Sequence, residues 1–125
     1  ATDIIFHPGS YMGKESSKVL PVVIQRLNEL QNNLVQEDIS STLRPETMGK
    51  PSLIGSLDDL FEICAQVERC FPCLDFPHLF ARTGGKKPVS VSDFIEILSC
   101  YESVFGKASL QSLSLIHIYE PTRPY

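Results

Sequence analysis

Short apolar runs alternate with longer stretches of helical period along this chain. Ile4, Ile5 and Phe6 are apolar and partly β-branched, which predicts a short buried strand over residues 3–7. Gly9, Ser10 and Gly13 follow as a loop, and Ser16 or Ser17 can cap a helix running to about residue 34. Its apolar positions Val19, Leu20, Val23, Ile24, Leu27, Leu30 and Leu34 recur every three or four residues and predict one core-facing stripe, with Pro21 in the first turn. Residues 39–44 predict a second strand. Gly49, Pro51 and Gly55 mark a loop, and Ser56 with Asp59 resembles a capping box with Asp in place of Glu. A helix from Leu57 to about Glu68 should bury Leu57, Leu60, Phe61, Cys64 and Val67. Residues 71–76 predict a third strand, and residues 83–88 a flexible loop. A last helix starts at Ser90 or Ser92, turns Phe94, Ile95, Ile97, Leu98 and Tyr101 inward, and ends at Gly106. Strands alternating with long helices in the order βα-βα-βα predict parallel pairing with right-handed crossovers.

The polar positions sharpen this picture. His7, Glu46 and Asp75 each follow the carboxyl end of a predicted strand. In a parallel βα array those ends share one rim, where active sites form. Taken singly, His7 reads as a loop residue, Glu46 as a surface acid and Asp75 as a helix cap. Three strands presenting such donors together point to a metal site, since zinc takes these nitrogen and oxygen ligands. His78 stands three residues after Asp75, and Arg82 four beyond that.

Length bounds the architecture. The chain has 125 residues, 42% of them apolar and 21% charged, which is globular composition. A closed eight-fold barrel takes about 250 residues. The expected fold is therefore α/β: three to four parallel βα units of a truncated (β/α)8 TIM barrel, with residues 1–112 as a central fragment. The chain starts in its first strand without an initiator Met, so no leader is expected, and no run is long enough to span a membrane. The net charge of −4 argues mildly against nucleic acid, but carboxylate-rich metal sites carry that sign too.

The cysteines suggest one alternative chemistry. Cys70 and Cys73 have C-x-x-C spacing, but no second pair completes a zinc site and Cys73 continues into an apolar run. They read as core residues, with Cys64 and Cys100 on helix faces, in a reducing cytoplasm. The last thirteen residues, Leu113 to Tyr125, resemble the translated read-through of a sequencing adapter, LSLIHISEPTRPY, departing only at Tyr119. A non-native tail over residues 113–125 is expected, the other reading being a strand from Leu113 to Tyr119.

Three strings carry a resemblance to a family: Phe6-His7-Pro8-Gly9, Arg44-Pro45-Glu46-Thr47-Met48-Gly49-Lys50, and Asp75-Phe76-Pro77-His78 running on to Ala81-Arg82. Residues 3 to about 110 resemble the endonuclease IV (deoxyribonuclease IV) family of xylose-isomerase-like barrels, nearest its archaeal-type branch. The resemblance implies a three-zinc enzyme that cleaves DNA on the 5′ side of abasic lesions. It implies His7 as a ligand of the first zinc and Glu46 as the catalytic carboxylate bridging the first and second. Asp75 is implied as a ligand of the second zinc and His78 of the third. His117 falls where the next strand of such a barrel supplies a further histidine. Arg82 and Lys50 are candidate DNA contacts, with an internal ion pair and a solvated lysine as the plainer roles.

Expected partners are double-stranded DNA with abasic sites and no membrane, the full-length protein acting as a monomer. Manganese or magnesium is the alternative to zinc. The competing function is a sugar-isomerase-like barrel enzyme, which uses similar rim residues with fewer metals. The chain by itself is expected to be inactive.

Overall fold

The structure, a computed structural model, describes residues 2–116. Four strands, β1 (Asp3–Phe6), β2 (Thr42–Pro45), β3 (Cys73–Asp75) and β4 (Ser114–Ile116), alternate with helices α1 (Ser16–Gln36), α2 (Leu57–Gln66), α3 (Phe76–Arg82), α4 (Val91–Phe105) and α5 (Lys107–Gln111). β1 pairs parallel with β2 and β3 pairs parallel with β4. Parallel bridges Leu43–Cys70 and Glu46–Cys73 join the two pairs, so the spatial order is β1-β2-β3-β4. This is the predicted alternation of strands and covering helices.

The core lies between the strands and the first two long helices. Leu43 of β2 shares one buried cluster with Leu20 and Leu27 of α1 and Leu60, Ile63 and Cys64 of α2. Phe61, Tyr101 and Phe105 join α2 to α4 through edge contacts, with ring centroids 6.1 and 5.5 Å from Phe61. Buried Gln31 of α1 donates to the carbonyl oxygens of Glu68 and Arg69 (2.7 and 3.0 Å), just past the end of α2. These two bonds tie α1 to the turn that follows α2.

Several expectations are corrected. β1 is an exposed strand rather than a buried one: Ile4 and Ile5 are 37% and 46% exposed, since β2 covers one edge only and the packing on its faces is thin. β2 starts at Thr42, because polar Ser40 and exposed Ile39 stay outside the ladder. β3 starts at Cys73, because Pro72 has no N–H for a ladder, and it ends at Asp75, because Phe76 already opens α3. Pro21 sits in the second turn of α1, not the first, and the helix continues through it. Leu30 and Ile95 are exposed, lying off the buried stripes of α1 and α4. α3 and α5 were not anticipated. Seven and five residues are too few to show a period, although Asp75 and Pro77 carry the cap and first-turn signals of α3. β4 occupies the start of the segment read either as a tail or as a strand.

Candidate metal centre

Each candidate ligand owes its place to a strand end. Parallel pairing in the register Ile5–Arg44 and Phe6–Pro45 brings His7 and Glu46 out of β1 and β2 side by side. His7 Nε2 lies 3.1 Å from Glu46 Oε2, with the His7 side chain 66% exposed and the Glu46 side chain 8%. The Glu46–Cys73 bridge then sets Asp75 two residues further along β3, at the same rim. Asp75 is both readings at once. Its Oδ1 accepts the His78 backbone N–H at 3.0 Å as the N-cap of α3, and it belongs to the ligand cluster. The cap turns α3 so that His78 comes back over the strand ends.

Among the described residues, Glu46, Asp75 and His78 each offer a ligand atom, and these atoms lie within 4.8 Å of one another. His78 Nδ1 is 2.8 Å from the Thr47 carbonyl oxygen, 3.3 Å from Asp75 Oδ2 and 3.6 Å from Glu46 Oε1. A carbonyl only accepts, so the tautomer that bonds Thr47 carries its proton on Nδ1. In it Nε2, not the Nδ1 that faces the carboxylates, is the nitrogen open to a metal. Thr47 itself is fully buried, and its Oγ1 accepts the Asp75 backbone N–H at 2.8 Å. Thr47 was not anticipated as a site residue. Its signal was the Arg-Pro-Glu-Thr string, where a hydroxyl follows a strand-end carboxylate.

The electrostatics suit a cation. Burial pushes the Glu46 carboxyl above its usual range, and the hydrogen bond and charge of Asp75 push it further, while His7 and His78 pull it back. Two buried carboxylates side by side, offset by imidazoles, leave excess negative charge that a divalent ion would neutralise. Mixed oxygen and imidazole donors fit zinc and suit magnesium less well.

Arg82 and Lys50 lie next to this cluster rather than in it. The Arg82 guanidinium turns into the protein and donates to backbone carbonyls of the loop after β2, while Lys50 is exposed. His117 lies outside the described residues. A separate cavity of about 530 Å³ opens between α2, α3 and α4, lined in part by Phe61, Leu79 and Ile97, and no cluster residue lines it.

The family model described as xylose isomerase-like TIM barrel matches residues 1–120. The chain belongs to that family. The barrel family's parallel strands with covering helices agree with the architecture above, four strands forming part of such a barrel. A protein of Methanocaldococcus jannaschii called "Uncharacterized protein MJ0133" is 27% identical over 113 residues, covering 90% of this chain and 41% of its own length. Two proteins called "Probable endonuclease 4" are similar as well. That of Staphylococcus carnosus is 32% identical over 94% of this chain and 38% of its own length. That of Methanosphaera stadtmanae is 30% identical over 90% of this chain and 39% of its own length. The chain thus spans about two-fifths of the length of the curated relatives it matches. No helix among the described residues is long and apolar enough to cross a membrane.

Proposed function

We propose that this chain carries part of the metal centre of an endonuclease that hydrolyses DNA on the 5′ side of abasic sites. The observation that carries this reading is the meeting of Glu46, Asp75 and His78 at one strand-end rim, with His7 against Glu46. The relatives named for endonuclease 4 support the choice of DNA as substrate.

Zinc is the proposed metal: His7, Glu46, Asp75 and His78 would hold it, with Glu46 as the carboxylate that lies between the two imidazoles. When bound, such ions activate water and neutralise charge on the attacking and leaving oxygens of a phosphodiester. The residues of this chain supply the setting. Burial and the neighbouring Asp75 disfavour the Glu46 carboxylate unless a cation offsets its charge. The Thr47 carbonyl orients the His78 ring, as the partner of a ligating imidazole does. The Asp75 cap and the Thr47 hydroxyl each take a backbone N–H at the start of α3, so the backbone that carries Asp75 and His78 is held in place by buried side chains. The full-length protein is proposed to act as a monomer on double-stranded DNA in the cytoplasm.

The test uses the chain restored to the length of its relatives. Glu46→Gln should remove most cleavage of an oligonucleotide duplex with one abasic site and lower bound zinc, because a neutral amide serves a cation poorly. Near-normal cleavage by that variant would overturn the assignment. One or two metals per chain, with turnover of a sugar and none of abasic DNA, would favour a sugar-isomerase-like enzyme instead.

A further inference from the structure

One guanidinium touches all three segments that present the candidate ligands. Arg82 lies on α3 one turn beyond His78. Its Nη1 lies within hydrogen-bond reach of the carbonyl oxygens of Met48, Lys50 and Leu53, at 3.2, 3.1 and 2.8 Å. All three belong to the loop that leaves Glu46 and Thr47. Its Nη2 donates to the Tyr11 hydroxyl at 3.1 Å. Tyr11 belongs to the loop that leaves His7, and its hydroxyl donates in turn to Asp59 of α2. The loop lies against α3 at Gly49, where a Cβ would stand at ordinary contact distance, 3.5 Å from Ala81 Cβ and 3.6 Å from the His78 carbonyl oxygen.

We propose that Arg82 is a positioning residue whose guanidinium locks the loop after Glu46 onto α3 and thereby sets the distance between Glu46, Thr47 and His78. This rests on the metal-centre reading and deepens it. The reason is geometric. Glu46 and Thr47 lead into that loop and His78 lies on that helix, so the loop's hold on α3 adds to the Thr47–Asp75 and Asp75–His78 bonds in setting their relative position. A planar fork with several N–H groups can hold several loop carbonyls at once. A lysine at this position brings a point charge and cannot span the same acceptors and Tyr11 together. The guanidinium is thus committed inward, which sets this role against that of a phosphate contact.

The experiment compares wild type with Arg82→Met, Arg82→Lys and Tyr11→Phe by three measurements on the chain. These are amide hydrogen exchange over residues 47–55, the proton resonance of the His78 ring Nδ1–H, and Co²⁺ affinity from its visible absorption. Losing charge-assisted bonds should speed loop exchange by about tenfold or more in both Arg82 variants, and less in Tyr11→Phe, with amides of α1 unchanged. The His78 ring proton should broaden or vanish as the Thr47 carbonyl drifts, and the Co²⁺ dissociation constant should rise about tenfold. Loop exchange within about a factor of two of wild type in every variant would overturn the proposal. So would a loosened loop with an unchanged His78 resonance. If Arg82→Met does not fold, Tyr11→Phe and Arg82→Lys carry the same comparison. If wild type takes up no Co²⁺, the metal reading fails, and exchange and the ring proton still decide the clamp.

Discussion

Residue-scale chemistry in this chain follows burial closely, and the cysteines show it. Cys64, Cys70 and Cys73 are buried, while Cys100 is exposed. Cys64 Sγ lies 3.5 Å from Cys70 Sγ across the turn between α2 and β3. Cys70 therefore faces Cys64, and all three read as small core residues. Burial pushes the Cys64 thiol far up, and the contact with Cys70 adds to it, so the reactive thiolate is suppressed there. Brief treatment of the native chain with iodoacetamide should label Cys100 first and leave the other three until the chain is unfolded. Peptide mass spectrometry checks this. Equal labelling of Cys64 and Cys100 under native conditions would contradict it.

At the scale of elements, sequence chemistry sets the starts of α2 and α4 but not of α1. Against the expectation that Ser16 or Ser17 caps it, α1 opens after Glu15 with no side-chain cap. Ser56 Oγ accepts the Asp59 N–H at 3.1 Å, while the Asp59 carboxylate takes the Tyr11 hydroxyl. The α4 start is a complete capping box. Ser90 Oγ accepts the Asp93 N–H, and Asp93 Oδ2 accepts the N–H groups of Val89 and Ser90 at 2.9 and 3.2 Å. The Val89 bond first, and then the Ser90 bond, holds the Asp93 carboxyl below its ordinary value of 3.8. The unfolded chain therefore takes up this proton before the folded one does. The contribution of Asp93 is present above pH 3.8 and is lost as pH falls through its lowered folded value. Amide signals of residues 89–95 should show the start of α4 fraying on acidification in that window. Asp93→Asn has nothing to titrate there, so its signals should show no such step. A step of unchanged size in Asp93→Asn would rule out the cap as the cause.

For the whole molecule, the sheet edge matters most. β1 pairs with β2 on one side, and among the described residues no strand pairs with its other side. Ile4 and Ile5 are partly exposed along it. An apolar strand with free backbone donors and acceptors is a template for pairing with another chain. The purified chain should associate as its concentration rises from about 1 to 100 μM, read by sedimentation velocity. Ile5→Lys should shift the distribution toward monomer by placing a charge on the edge. A wild-type chain that stays monomeric over this range would contradict the expectation.

How much of this was legible from the sequence divides along a physical line. Local patterns carried the order βα-βα-βα, the stripes of α1 and α2, and the cap at Ser90, because each depends on spacing within a few residues. The strand-end placement of His7, Glu46 and Asp75 was legible for the same reason. The structure groups Glu46 and Asp75 with His78, and among the described residues His7 meets the group through Glu46 alone. The sequence could not say how buried a strand is, since Ile4 and Ile5 look the same in a central strand and at an edge. It could not show α3 by period, because seven residues complete fewer than two full turns. Nor could it assign Arg82, whose partners Met48, Lys50, Leu53 and Tyr11 stand 29 to 71 residues away along the chain. Those contacts exist only because parallel pairing stacks successive βα loops on one rim, a decision taken by the tertiary structure.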